Sequence, residues 1–260
     1  MIAQCASLQG RLHKTYGIPN QDAAHVFHVK GATAAVLCDG VSLKSDLTFS
    51  SSEIASRFCV EETTRYLREH IHRHTTDEEM FKIVQNLFDH VKNALEKELR
   101  RRKIPAADCQ TTMIAAVYRK GRFWAGIAGD GGILAHRCDG SISAMITEIK
   151  TSSQVHPLGS ASEWKFFSSK NDSPIPVNRI LIATDGVFDT LCYWNGKRLR
   201  CEVPSLRLFY SISGVREKYR QKWLEKLLQT VSSNDDLSCA LIEDPHYFER
   251  RKTQAPSQAR

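Results

Sequence analysis

Two long amphipathic patterns lie back to back in the first half of the chain, between runs of strand length. From Glu53 to about Ile71, the residues Ile54, Phe58, Leu67 and Ile71 can form one apolar stripe. From Asp77 to about Arg102 the stripe Phe81, Val84, Phe88, Val91, Leu95 and Leu99 is cleaner. Thr76 with Glu79 fits a capping box, and Pro105 lies just past the second helix. Apolar runs of strand length follow or precede this block at Thr33–Cys38, Met113–Tyr118, Phe123–Ala128, Ile180–Thr184 and Leu237–Ile242, with weaker ones near Val26–Val29, Ile133–His136 and Ile142–Ile149. A third helix is expected over about Val215–Val231. Long helices set between strands that turn by short hairpins predict an α+β fold with mainly antiparallel sheets layered against helices.

Composition narrows the function classes. With 260 residues and 42% hydrophobic content the chain can bury one good core, so a single domain is expected over 1–245, followed by a basic, disordered tail at 246–260. No apolar stretch is long enough to span a bilayer, and the segment MIAQCASLQGRLHKTYG has no apolar core of signal length, so a cytoplasmic protein without membrane contact is expected. The eight cysteines are scattered singly, without C-x-x-C spacing, and read as buried free thiols in a reducing compartment. The formal charge of +7 comes largely from Arg100–Lys103, placed to close a helix, and from the tail. No aromatic stripe accompanies either cluster, which argues against a nucleic-acid partner.

The chemistry lies in the carboxylates. Asp39, Asp130 and Asp185 each follow a strand-like run, and Asp235-Asp236 precedes one. In an antiparallel sheet the end of one strand neighbours the beginning of the next, so these positions can meet at a single edge. Crowded carboxylates raise one another's pKa unless cations neutralise them, and hard oxygen-seeking ions such as Mg²⁺ or Mn²⁺ suit the purpose. Asp-Gly is also a common hairpin turn, and Asp139-Gly140, between two strand-like runs, is read as one. Asp39-Gly40 leads instead into a polar loop and a helix, and Asp185-Gly186 into a short helical turn that presents Asp189 beside Asp185.

The ordered set Asn20-Gln21-Asp22-Ala23, Cys38-Asp39-Gly40, Thr111-Thr112, Gly129-Asp130, Thr184 to Asp189, and Asp235-Asp236-Leu237-Ser238 resembles the type 2C protein phosphatases, across about residues 7–243. Gly10-x-x-His13 and Gly129-Asp130-Gly131-Gly132 look closest to a bacterial branch. The resemblance implies a four-layer α-β-β-α sandwich, with two central, mainly antiparallel sheets flanked by helix pairs. It implies two, or with a third site three, Mn²⁺ or Mg²⁺ ions, and hydrolysis of phosphoserine or phosphothreonine by direct attack of a metal-bridging water. Carried over residue by residue, Asp39 bridges two metals, while the Gly40 carbonyl, Asp185 and Asp235 complete the direct ligands. Asp22 holds metal-bound waters, Asp130 and Asp189 join Asp185 in a third site, and Thr111 and Thr112 pack beneath.

Three departures stand out. Gly17 occupies the place of an arginine that grips substrate phosphate in many members, leaving Arg11, His13 or Lys14 as substitutes. Asp39-Gly40-Val41-Ser42-Leu43 replaces a glycine-rich run that carries a histidine in some relatives, so leaving-group protonation falls to His13 or to a metal-bound water. Asp236 stands where asparagine is frequent, adding a negative charge expected to tighten metal binding. After Asp189, the segment from Cys192 to Ser211 is the family's variable flap, where Lys197, Arg198 and Arg200 read as solvated charge beside an Asn195-Gly196 turn. The expected protein is a monomeric, metal-dependent phosphoprotein phosphatase. The alternatives are a catalytically weak phosphoprotein-binding or regulatory member, or a phosphatase for a small phosphorylated molecule.

Overall fold

The computed structural model describes residues 1–41, 51–147, 157–160, 164–169, 175–195 and 199–244. The proposed tail at 246–260 and two flap cations, Lys197 and Arg198, lie outside them. Two five-stranded sheets face each other. The first runs β1 (Ile2–Leu8), β14 (Leu237–Glu243), β11 (Val177–Ala183), β8 (Gly132–Arg137) and β9 (Ile142–Met145). The second runs β10 (Lys165–Ser168), β7 (Arg122–Ala128), β6 (Met113–Arg119), β3 (Ala32–Cys38) and β2 (Ala23–Val29). Every neighbouring pair is antiparallel. Leu37, Ile114 and Ile127 of one sheet meet Ile133, Ile182 and Ile242 of the other in a shared core.

Helices cover both outer faces. On the second sheet lie α2 (Ser52–His70) and α3 (Asp77–Arg102); on the first lie α4 (Asp185–Leu191), α5 (Val203–Tyr210) and α6 (Glu217–Leu228). A central strand is thus buried on both sides, which is why all seven residues of β3 are buried and its sequence shows no polar alternation. The expected four-layer α-β-β-α architecture is the one observed. Among the described residues no helix is long and apolar enough to cross a membrane.

The helical reading holds for α3 and shifts for α2. Thr76 Oγ1 accepts from the Glu79 amide while the Glu79 carboxylate accepts from the Thr76 amide, closing the capping box, and Val84, Phe88, Val91, Leu95 and Leu99 are all buried. In α2 the buried face is Ala55, Ser56, Cys59, Thr63 and Leu67, whereas Ile54 and Phe58 are only half-buried. Val60, Tyr66, Leu67 and Ile71 are buried beside these small side chains, so only the first turns of the expected stripe shift to the flank. Close approach explains Gly126, in β7: a Cβ there would stand 2.5 Å from the Phe88 ring.

Sequence periodicity did not reveal β1, β10, the short pairs β4 (Gly40–Val41) with β5 (Gln110–Thr111) and β12 (Cys192–Trp194) with β13 (Leu199–Cys201), or the helices α1 (Arg11–Tyr16) and α5. The strand expected over Ile142–Ile149 ends at Met145, and residues 148–150 lie outside the description. Asp139-Gly140 is the turn it was read to be: Asp139 accepts from the Ser141 amide at 2.9 Å and Gly140 has φ of 91°.

Candidate metal centre

The register of the two sheets brings the aspartates to one end of the sandwich. Ala23 pairs with Cys38, so Asp22, just before β2, lies beside Asp39, just after β3. Met113 pairs with Ala128, which puts Thr112 next to the Gly129-Asp130 exit of β7. In the facing sheet Ala183 pairs with Cys239, so the Asp185 end of β11 neighbours the Asp235 entry to β14. Four of these carboxylates, Asp39, Asp130, Asp185 and Asp235, line one cavity of about 250 Å³ together with Gly40, Val41, Thr112, Leu12, His13 and Asn234.

Carboxylate oxygens of Asp39, Asp130 and Asp185 lie within 4.8 Å of one another. The protein fixes this approach through the backbone. Thr112 donates its amide to the Asp39 carbonyl at 2.8 Å and accepts the Asp39 amide on its hydroxyl at 3.2 Å; Thr111 Oγ1 donates to the same carbonyl at 2.9 Å. Both threonines thus hold the Asp39 backbone, and Thr112 also lines the cavity. Gly40 donates to the Gln21 carbonyl at 3.1 Å. Gly129 turns the chain with φ of 115°, and a side chain there would strike Thr112 at 2.5 Å, so glycine is needed for Asp130 to face inward.

Electrostatics tests whether such a set suits cations. Burial, then the charges of Asp22 and Asp185, push the Asp39 carboxyl well above its ordinary range. Burial and Asp185 raise Asp235 as well. Asp22 is pushed up to about 8, by burial first and the Asp236 charge second. Three converging hard oxygen donors, with the Asp39 carboxyl raised by its buried acidic surroundings, fit divalent Mg²⁺ or Mn²⁺. Asp22 does not line the cavity. It is buried behind it, accepting from Thr184 Oγ1 at 3.1 Å. Asp189 is exposed on α4 one turn beyond Asp185, on the same helical face, and it also lies outside the lining.

Asp236 has a role the sequence reading missed. It faces away from the cavity: Oδ1 accepts the Gly10 amide and Oδ2 the Gln21 amide, each at 2.6 Å, and Oδ2 lies 2.9 Å from His13 Nδ1. Its charge is spent on tying the N-terminal segment to β14 and is not directed at metals. The signal was present, because successive residues entering a strand point to opposite sides, so Asp235 and Asp236 cannot both face one pocket. His13 is buried on α1 and lines the cavity. Arg11 and Lys14 do not; they are exposed and line a neighbouring cavity of about 420 Å³, where Arg11 donates to Asn234 at 2.9 Å. Gly17 ends α1 in the left-handed conformation, φ 67°.

A sequence profile described as Protein phosphatase 2C matches residues 9–229. The chain belongs to the protein phosphatase 2C family. Nothing among curated protein sequences matches it significantly. Among solved structures, a bacterial serine phosphatase superposes with TM-score 0.65 at 17% identity, covering 93% of this chain and 96% of that one. Serine/threonine phosphatase Stp1 from Staphylococcus aureus gives 0.61 at 16% identity, covering 93% and 94%. The catalytic domain of PstP, solved with two manganese ions, gives 0.61 at 14%, covering 93% and 97%. These likenesses establish the family's fold.

Proposed function

We propose that this chain is a divalent-metal-dependent protein serine/threonine phosphatase. The observation that carries the reading is the convergence of Asp39, Asp130 and Asp185 within 4.8 Å in a lined cavity, on the fold of a phosphatase family. Asp39, Asp130, Asp185, Asp235 and the Gly40 carbonyl are the groups that would hold the ions, with Asp189 at the margin. Bound divalent cations supply acidified water and positive charge against the phosphoryl oxygens.

The chain's own contribution is orientation. Thr111 and Thr112 fix Asp39, and Thr184 fixes Asp22 behind it, so the carboxylates are held before substrate arrives. His13, with Nδ1 2.9 Å from Asp236, lines the cavity, where it would serve as proton donor to the departing serine or threonine oxygen.

The test is phosphate release from a phosphothreonine peptide and from an aryl phosphate, with Mn²⁺, Mg²⁺ or chelator, for wild type and Asp39→Asn. Turnover that chelation abolishes and that the substitution cuts about 10³-fold or more supports the reading. Absence of any metal-dependent turnover refutes it. One observation favours the second reading, a weak phosphoprotein-binding member: neither Arg11 nor Lys14 lines the acidic cavity. In that case the peptide binds with no turnover. Turnover of the aryl phosphate alone points to a small-molecule substrate.

A further inference from the structure

We propose that Cys192 and Cys201 form a dithiol site for disulfide exchange, whose reactant is an oxidised low-molecular-weight thiol such as glutathione disulfide. The two residues are directly opposite in the antiparallel pair β12–β13. Directly opposed residues have Cα atoms about 4.5 or 5.5 Å apart, depending on their place in the ladder, and both values lie in the range a disulfide spans. The sulfurs already stand 3.4 Å apart, as free thiols in contact. Closing a bond therefore needs side-chain rotation and no change of register.

Access and polarity assign the order of events. Cys201 is half-buried, and Cys192 is buried in the apolar core that covers the outer face of the first sheet. The Cys192 thiol donates to the Cys201 sulfur, which stabilises a thiolate there and holds the Cys201 thiol below its ordinary range while Cys192 is raised. Cys201 is thus the attacking group. Its thiolate attacks one sulfur of glutathione disulfide; the sulfur–sulfur bond breaks, one glutathione leaves as thiolate, and a mixed disulfide remains on Cys201. Cys192 then loses its proton and attacks the Cys201 sulfur, and the second glutathione leaves. Two protein thiols are oxidised, one glutathione disulfide is reduced to two glutathiones, and the two protein protons end on the released thiols.

The rest of the molecule contains a control. Cys38 and Cys59 also lie in contact, yet both are 0% exposed, so a reagent in solution has no route to them. The bond between Cys192 and Cys201 would be placed just after α4, which carries Asp185 and Asp189, and where the Glu202 amide already binds the Leu191 carbonyl at 2.8 Å. It would clasp β12 to β13 beside the acidic end of the molecule. This chemistry does not depend on the phosphatase reading.

The test is a thiol map of the full, folded chain. After exposure to glutathione disulfide, free thiols are alkylated, and the protein is digested without reductant and examined by mass spectrometry. The Cys192–Cys201 cross-link should form at least tenfold faster than any other thiol is lost. Cys192→Ser should accumulate a glutathione adduct on Cys201, whereas Cys201→Ser should leave Cys192 alkylatable. Preferential oxidation of Cys38 with Cys59, or an adduct first on Cys192, overturns the proposal. Cys192 is buried and its substitution endangers folding, so the wild type is also mapped in guanidinium. There the preference should vanish; a preference of the same size in the unfolded chain would show that sequence proximity alone produces it, and would overturn the proposal.

Discussion

Asp236→Asn isolates what one buried carboxylate does beside the acidic cavity. In the native protein Asp236 receives two backbone N–H groups, one per oxygen, and its second oxygen lies 2.9 Å from His13 Nδ1. Asparagine offers a single acceptor oxygen. If the amide oxygen faces Gly10, the Gln21 amide meets an NH₂ group; if it faces Gln21, the Gly10 amide does. One buried donor is orphaned in either orientation, at about 1–3 kcal/mol, and the surviving bonds lose their charge assistance. Against this stands relief of repulsion, since the Asp236 charge helps to raise Asp22 and Asp235.

Saturating Mn²⁺ removes most of that repulsion, so the hydrogen-bond loss should then prevail by about 2 kcal/mol. At roughly 2.1 cal/mol/K per residue, a chain of 260 residues has an unfolding entropy near 0.55 kcal/mol/K, and the expected fall in Tm is about 4 °C. In chelator the fall should be smaller, because repulsion relief offsets part of it. The assay is thermal unfolding of both proteins in Mn²⁺ and in chelator, with urea midpoints at constant m as a check. A variant as stable as wild type in Mn²⁺, or more so, would refute the reasoning, because the contacts of Asp236 would then carry no net stabilisation.

Further outcomes follow from the same geometry. Asp22 has its pKa raised to about 8 when folded, above the ordinary value of 3.8. A raised carboxylate adds stability that is complete below its unfolded pKa and lost as pH climbs through the folded one. The metal-free chain should therefore lose stability from about pH 4 to pH 8, by up to roughly 1.4 kcal/mol per pH unit for one proton, and Mn²⁺ should flatten the slope; a flat profile in chelator refutes this. Gly126→Ala should cost about 1–3 kcal/mol by overpacking against Phe88, and Phe88→Leu in the same chain should recover part of it, as urea unfolding of the cycle will show. Arg11→Ala and Lys14→Ala, being outside the acidic cavity, should leave KM for a phosphothreonine peptide within about twofold; a tenfold rise would place a phosphate grip on α1.

The strand-tip aspartates were legible because buried strands fix register, and register fixes which ends meet. β3, β6, β7 and β14 are apolar almost throughout, so their boundaries, and with them Asp39, Asp130 and Asp235, stand out from any polar loop. Elements at the margins of the sandwich lack that signal. β1, with the sequence IAQCASL, has one neighbour strand and mixes small and polar residues. α5 was missed as well, although Pro204 stands in its first turn, a start signal that apolar periodicity does not record. The buried face of α2 was only partly legible for a related reason: Leu67 and Ile71 are buried as expected, but so are the small residues Ala55, Ser56, Cys59 and Thr63, whose burial hydrophobicity does not record. Substrate grip belongs to the same class of hidden property. It depends on where a loop carries one cation, and here the position expected to hold arginine is Gly17, whose task is to end α1. Ending α1 there lets the Ile18 amide reach back to the His13 carbonyl at 2.9 Å, and the same helix places His13 against Asp236. In this chain the loop supports a histidine that lines the acidic cavity, and under the proposed function the N-terminal segment would contribute proton donation more than phosphate binding.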